Sequence, residues 1–167
     1  KSLLDGPTHL GFNQFFGVPG NTEDSLDTEP RIYIRDNKWS FTDRSKMYWT
    51  GMKHREGQIL SGPHWDLAQL GPDFLKEGLQ FIQMASQKKN PFFLYYVPTA
   101  NHFQRNLNGD YAVPEFLHGE PIRGASKYTD GQKGGEREDM VLENDVAFGA
   151  LIQKLKETED PRSPGKK

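Results

Sequence analysis

The stretch Pro91-Phe92-Phe93-Leu94-Tyr95-Tyr96-Val97 decides how the fold of this chain is interpreted. Its last six residues are apolar at every position, with no polar residue alternating between them. A continuous apolar run of this length is typical of a strand that is covered on both faces. Such strands belong to the parallel sheets of α/β proteins, so Phe92–Val97 predicts a buried strand of an α/β fold.

An amphipathic helix is predicted on each side of this strand. Pro72-Asp73 is a common helix start, and the apolar spacing that follows predicts a helix over Pro72–Gln87, which Lys88-Lys89-Asn90-Pro91 ends. A second helix is predicted from about Glu136 to Glu157. Its apolar stripe consists of Met140, Val141, Asn144, Phe148, Leu151, Ile152 and Leu155. A helix, a short connection and a buried strand together form half of a βαβ unit.

The remainder of the chain shows weaker patterns. Short strands are predicted at Arg31–Arg35 and Lys38–Phe41, with Asp36-Asn37 as the turn between them. Residues 98–135 form a long polar stretch, and loops of this length are usually functional or disordered. Residues 158–167, with two prolines and a terminal lysine pair, are predicted to be an exposed linker or tail.

Composition excludes several classes of protein. The 167 residues include no cysteine, which rules out disulfides, thiolate zinc sites, Fe–S clusters and a cysteine nucleophile within the chain. The 21 Lys+Arg and 23 Asp+Glu leave a net charge of −2, so there is no electrostatic argument for a nucleic-acid partner. The longest apolar run is far shorter than the roughly 20 residues that a membrane-spanning helix needs.

His102 is the most specific candidate for chemistry, because it follows the predicted strand by five residues. Ligands of open α/β sheets bind at the carboxyl ends of the strands. A histidine in that position can donate a hydrogen bond to an anion or protonate a leaving group near neutral pH. It could equally be a loop histidine that is hydrogen-bonded to the backbone.

Other candidates have simpler explanations. His64 could be oriented by Asp66, but a local turn explains that pair as well, and His54 and His118 have no evident partner. Glu143 and Asp145 could be a buried charge pair or the edge of an exposed face. One further set could line a sugar or aryl pocket, although a hydrophobic core needs such residues too: Trp39, Phe41, Tyr48, Trp49 and Trp65.

Three blocks of the sequence together resemble the arylsulfatase-type sulfatases. The first block is similar to the family's H-x-G-F-(D/N/H)-x-F-(F/L)-G-(I/V)-P stretch, the second to its P-F-F-L-Y strand and the active-site histidine after it, and the third to its D-M-V-x-E-x-D-x-x-V-G helix. They are His9–Pro19, Pro91–Tyr96 with Asn101-His102-Phe103, and Asp139–Gly149. The blocks occur in family order, and the resemblance spans most of residues 9–157.

The resemblance implies an alkaline-phosphatase-like α/β sandwich with a central, mostly parallel sheet, and the hydrolysis of sulfate esters. Sulfatases use a formylglycine nucleophile, made from Cys or Ser in a C/S-x-P-x-R motif, and a calcium ion held by carboxylates and an amide. His102 matches the histidine that contacts the sulfate and is the candidate proton donor to the leaving alcohol. Asn101 is the accompanying candidate for substrate binding.

The chain also departs from the family pattern. No serine is followed by x-Pro-x-Arg, and the carboxylate ligands of the family belong upstream and downstream of these residues. We therefore expect residues 1–157 to be part of a sulfatase catalytic domain, inactive alone and binding neither calcium nor formylglycine itself. The resemblance further implies a sulfated small molecule or carbohydrate as substrate and a periplasmic or secreted parent protein.

Two alternatives remain open at this point. The chain could belong to a phosphodiester or phosphonate hydrolase of the same superfamily. It could also be a non-catalytic, sulfatase-like module that binds a glycan or an anion, as the missing nucleophile motif suggests.

Overall fold

The computed structural model describes residues 5–19, 31–40, 48–51, 58–62, 65–100, 113–163 and 165. These residues form two compact units, one ending at Leu67 and the other beginning at Ala68. The described chain combines helices with short antiparallel strand pairs, which confirms that it mixes α and β structure, while the described residues form no parallel sheet.

The first unit contains two small antiparallel sheets. Their strands are β1 (Phe16–Gly17), β2 (Ile34–Arg35), β3 (Lys38–Trp39), β4 (Tyr48–Gly51) and β5 (Gln58–Ser61), paired in the orders β1-β2-β3 and β4-β5. Short 3₁₀ helices span Pro7–His9 in this unit and Leu67–Gln69 across the boundary to the second unit in the sequence. The prediction of a hairpin turning at Asp36-Asn37 is confirmed with shorter strands, in which Ile34 pairs with Trp39.

The second unit is built on two helices and a hairpin. The helices are α1 (Leu70–Ala85) and α2 (Glu136–Glu157), so both predicted helices are confirmed, with α1 beginning and ending two residues earlier than expected. The hairpin pairs β6 (Phe116–Leu117) with β7 (Glu120–Pro121). Its two turn residues, His118 and Gly119, both have positive φ, 51° and 87°, as a tight two-residue hairpin turn requires.

Helices α1 and α2 pack in parallel through two glycines of α1. A Cβ atom on Gly71 would lie 1.7 Å from Oε1 of Glu143, and one on Gly78 would lie 3.0 Å from Cδ2 of Leu151. Lys154 of α2 donates a hydrogen bond to Gln83 further along α1. Because contacts advance along both helices together, the helices point the same way. The absence of side chains at the two glycines allows this close approach.

The described structure does not show the predicted strand at Phe92–Val97 that is covered on both faces. Residues 91–99 belong to none of the sheets that the described residues form. Phe93, Tyr95 and Val97 expose 73%, 70% and 54% of their surface, whereas Leu94 and Tyr96 between them are half-buried. The apolar run indicates that both faces can be buried, but burial on the second face needs a further layer of structure.

The segment of residues 91–100 nevertheless lies on both helices. The Phe92 ring meets Phe81 of α1 edge-on at 5.5 Å, and the Tyr96 ring comes within 3.6 Å of the Cβ position of Gly78. At its end, the Ala100 carbonyl accepts a hydrogen bond from Nδ2 of Asn144 at 3.2 Å. The contacts thus move back toward the helix N-termini as the segment advances, so it runs antiparallel to both helices. Strand and helix have this relative direction in a βαβ unit.

The predicted apolar stripe of α2 is only half right. Met140 and Leu151 are buried, but Val141, Phe148 and Leu155 expose 52%, 63% and 41% of their surface. Small residues complete the buried face instead, namely Ala147 and Ala150. Since α2 carries apolar residues on two faces, the sequence periodicity alone could not indicate which face contacts α1. The remaining buried apolar residues of this unit include Leu70, Leu75, Ile82, Val113, Leu117 and Ile122.

The close approach at Gly78 leads to a matched pair of substitutions. We expect Gly78→Leu to lower the free energy of unfolding by about 1–3 kcal/mol, because the new side chain collides with Leu151 and Tyr96. Gly149→Leu, on α2 with no atom within 4 Å of its Cβ position, should raise it by up to about 1 kcal/mol through helix propensity. Urea denaturation monitored by circular dichroism measures both. Equal stability of the two variants would contradict the packing described.

Candidate functional site

The sequence-predicted site residues Asn101 and His102 lie outside the described residues, as do His54 and His64. The structure does describe the chain up to Ala100, directly before them. Of the two histidines that are described, His9 ends the first 3₁₀ helix and His118 lies in the turn of the β6–β7 hairpin, and both are exposed. The geometry that bears on the predicted site is therefore the support beneath Ala100.

Three polar side chains lie where the end of residues 91–100 meets the helices, and we refer to Tyr96, Glu143 and Asn144 as the polar cluster. Asn144 holds the Ala100 carbonyl, while its own Oδ1 is buried without a hydrogen-bond partner among the described residues. The Tyr96 hydroxyl is in the same situation. Glu143 is only 4% exposed. Buried polar atoms without partners are rare in proteins, so their concentration here marks this region as unusual.

Burial dominates the electrostatics of the polar cluster. It raises the pKa of Glu143 to about 8, and no charged group among the described residues contributes to that shift. Burial, followed by the charge of Glu143, raises the pKa of Tyr96 to about 12. The phenol therefore keeps its proton, and the carboxyl exchanges its proton near neutral pH. Carboxyl groups tuned in this way are found at sites of acid–base chemistry as well as in structural positions.

The structure separates Glu143 from Asp145. Glu143 is buried against Gly71 of α1, whereas Asp145 lies on the exposed side of α2. The sequence suggested either a buried charge pair or the edge of an exposed face, and neither interpretation describes these two residues. The signal that could have found Glu143 is its position: it lies on the helical face that also carries Met140, Ala147 and Leu151, where an acidic residue is out of place.

A second buried carboxylate, Asp139, organises the loop before α2. Asp139 Oδ2 accepts a hydrogen bond from the Gly124 N–H at 2.6 Å, and its Oδ1 accepts from the Ser126 N–H at 3.1 Å and the Ser126 hydroxyl at 2.6 Å. Although burial raises the pKa of Asp139, these hydrogen bonds and the charge of Lys133 outweigh it and lower the pKa below its usual range. A favourable interaction with the N-terminus of α2 would not by itself require Asp139 to be buried this deeply.

The neighbouring glutamate caps the same helix. Glu138 Oε2 accepts a hydrogen bond from the Gly135 N–H at 2.8 Å, and its Oε1 accepts one from the Tyr128 hydroxyl at 2.8 Å. The glycine-dense stretch before α2 closes a turn in which the Gly131 N–H donates to the Tyr128 carbonyl at 2.9 Å. Both acids therefore fix the chain that leads into α2.

Trp65, one of the aromatic residues that could line a pocket, stands at one end of a ladder of three rings. Within the first unit, Phe16 stacks on Tyr33 with ring centroids 5.0 Å apart, and Tyr33 meets Trp65 at 5.7 Å. The Arg35 guanidinium lies 4.9 Å from the centroid of Phe16. Trp39 and Trp65 are half-buried, and the side chains of Phe41, Tyr48 and Trp49 lie outside the described part. These rings mainly cover one another.

Within the described ranges, no group of three or more His, Asp or Glu side chains is placed to hold a metal ion. No helix in those ranges has the length and apolarity needed to cross a membrane. Comparisons with protein-family models, with curated proteins and with solved structures found no match to this chain.

The hydrogen bonds of Asp139 predict a specific loss of stability in acid. Because the folded state lowers the pKa of Asp139, its contribution is present above the ordinary value of 3.8 and disappears as the pH falls through the lowered value. We expect Asp139→Asn to lower the free energy of unfolding by about 1–3 kcal/mol at pH 7. As the pH falls below 5, the free energy of unfolding of this variant should decrease less than that of the wild type.

The exposed Asp145 provides the control. Asp145→Asn should change the free energy of unfolding by less than about 0.5 kcal/mol. Denaturant unfolding at several pH values compares the two variants. If Asp139→Asn and Asp145→Asn were equally mild, the role given to Asp139 would be wrong.

Proposed function

We propose that this chain is part of a sulfatase that hydrolyses sulfate esters, with His102 in the site and Asn101 beside it. One observation carries the proposal most strongly: residues 91–100 lie antiparallel on two parallel helices, and the chain leads directly from Ala100 into Asn101-His102. In α/β folds, the carboxyl end of such a segment is where ligands bind. The sequence resemblance places the same histidine there.

The surroundings of residues 91–100 also bear on the sheet to which this segment would belong. We propose that Phe92–Val97 is a strand of a central, mostly parallel sheet in an alkaline-phosphatase-like sandwich, of which residues 1–157 are a part and 158–167 a tail. The exposed side chains of Phe93, Tyr95 and Val97 support this, because they supply the apolar second face that such a strand needs. The exposed apolar residues of α2, Val141 and Phe148, are consistent with further covering structure.

The chemistry proposed for His102 is proton transfer. As the bond between sulfur and the bridging oxygen breaks, negative charge develops on the leaving alcohol oxygen. A protonated imidazole beside that oxygen can donate its proton and also contact the anionic sulfate. Asn101 would supply a side-chain amide for the same ligand. The proposed substrate is a sulfated small molecule or carbohydrate, and the proposed location of the parent protein is periplasmic or secreted.

The described carboxylates do not fit the calcium site of a sulfatase. Asp139 is fully engaged with Gly124 and Ser126, Glu143 is buried, and no group of three or more His, Asp or Glu side chains among the described residues is placed to hold a metal ion. The sequence also has no C/S-x-P-x-R motif for formylglycine. We propose that both groups are supplied by other parts of the parent protein, and no step of the chemistry above is routed through them.

The test uses the full-length protein that contains this chain. His102→Ala should lower kcat for a sulfate ester by about 10²–10⁴-fold, because general acid catalysis contributes that much. His118→Ala, which removes an exposed histidine in the hairpin turn, should leave kcat within about two-fold. Unchanged sulfate-ester hydrolysis by His102→Ala would contradict the proposal.

Parallel assays separate the alternatives. Hydrolysis of phosphodiesters or phosphonates with no activity on sulfate esters would favour the phosphoryl-transfer member of the superfamily. Binding of a sulfated glycan without any turnover would favour the non-catalytic module. For the 167-residue chain by itself, we predict no calcium-dependent hydrolysis of an aryl sulfate.

A further inference from the structure

The Glu143 carboxyl occupies a slot that exists because residue 71 is glycine. Its Oε1 lies 1.7 Å from the position that a Cβ on Gly71 would take, and its Cδ lies 2.9 Å from the same position. Any side chain at residue 71 would displace the carboxyl group. Glu143 therefore joins α2 to the first turn of α1, where Gly71 follows Leu70.

The described residues around the slot offer no group that compensates a negative charge. No salt bridge or hydrogen bond to the Glu143 carboxyl is found among the described residues, and its pKa is raised by burial alone, without a contribution from a charged neighbour. An ionised carboxylate in such a place carries a desolvation penalty that no group among the described residues offsets. The protonated carboxyl avoids that penalty, so the closed packing favours the protonated form.

Each of the three elements packed around the slot contributes one residue to the surroundings of Glu143. Residues 91–100 contribute Tyr96, whose phenol is electrostatically coupled to Glu143 and remains protonated. Helix α1 contributes Gly71. On α2 itself, the charged neighbour one turn earlier is Asp139, which is held by Ser126 and Gly124. Glu143 is thus the group in this cluster that gains or loses its proton between pH 5 and 9.

We propose that Glu143 is a proton-controlled latch between α1, α2 and residues 91–100. When protonated, the carboxyl lies on Gly71 and the three elements remain packed. When it ionises, the carboxyl leaves the slot for water, and the packing of Tyr96 and the hold of Asn144 on Ala100 are weakened.

The direction of the pH effect follows from linkage. The pKa of Glu143 is higher in the folded state, about 8, than its ordinary value of 4.5. Its contribution to the closed packing is therefore complete below pH 4.5 and is lost as the pH rises through about 8. Between these values, each unit of pH makes opening up to about ten-fold more favourable.

Hydrogen exchange of the whole chain tests the latch without any enzyme assay. After correction for the intrinsic pH dependence of exchange, protection of residues 92–100 and of the start of α1 should fall at least ten-fold between pH 6.5 and 8.5. In Glu143→Gln, which keeps the shape and cannot ionise, protection should stay within about two-fold across that range. Asp145→Asn should behave as the wild type. The same pH dependence in Glu143→Gln and the wild type would overturn the proposal.

A second measurement is independent of whether Glu143→Gln folds. Carbon-13 NMR titration of the Glu143 carboxyl in the wild-type chain should show a midpoint well above 6, and a midpoint below 5 would overturn the latch. Gly71→Ala should expel the carboxyl and lower that midpoint toward 4.5. Because none of these readouts uses a sulfate ester, the latch can fail while the proposed function stands, or the reverse.

Discussion

The packing of α1 against α2 through Gly71 and Gly78 is the constraint on which the second unit depends. The two glycines let the helices approach closely in parallel, and this places Glu143 and Leu151 directly over the backbone of α1. Residues 91–100 can then lie on both helices at once, with Tyr96 beside Gly78 and Ala100 tied to Asn144. That segment ends at Ala100, directly before the two predicted site residues in the sequence.

The same helix carries two buried carboxyl groups with opposite electrostatic behaviour. Asp139 is surrounded by N–H and O–H donors, so the folded state favours its charged form. Glu143, one turn later, faces a glycine and a phenol, so the folded state favours its neutral form. Asp139 therefore stabilises the loop before α2 at neutral pH, while Glu143 makes the helix pair sensitive to a rise in pH.

What could be predicted from the sequence was the local part of the structure. Both helices were predicted because capping residues and apolar spacing act within a few turns, and the hairpin at Asp36-Asn37 was predicted by its turn residues. The strand at Phe92–Val97 was not obtained, because pairing needs neighbouring strands that the pattern itself does not contain. The buried role of Glu143 depends on Gly71, 72 residues earlier, which no local pattern connects. His102 and Asn101 remain predictions.

The three-way contact at Gly78 provides the most direct test of how the second unit packs. Leu151 and the Tyr96 ring lie 3.0 and 3.6 Å from the Cβ position of Gly78, so all three elements meet there. Nuclear Overhauser spectroscopy of the isotope-labelled chain measures this contact. We predict strong cross-peaks from the Gly78 α-protons to a Leu151 methyl group and to the Tyr96 ring. Their absence in a folded chain would contradict the arrangement of α1, α2 and residues 91–100.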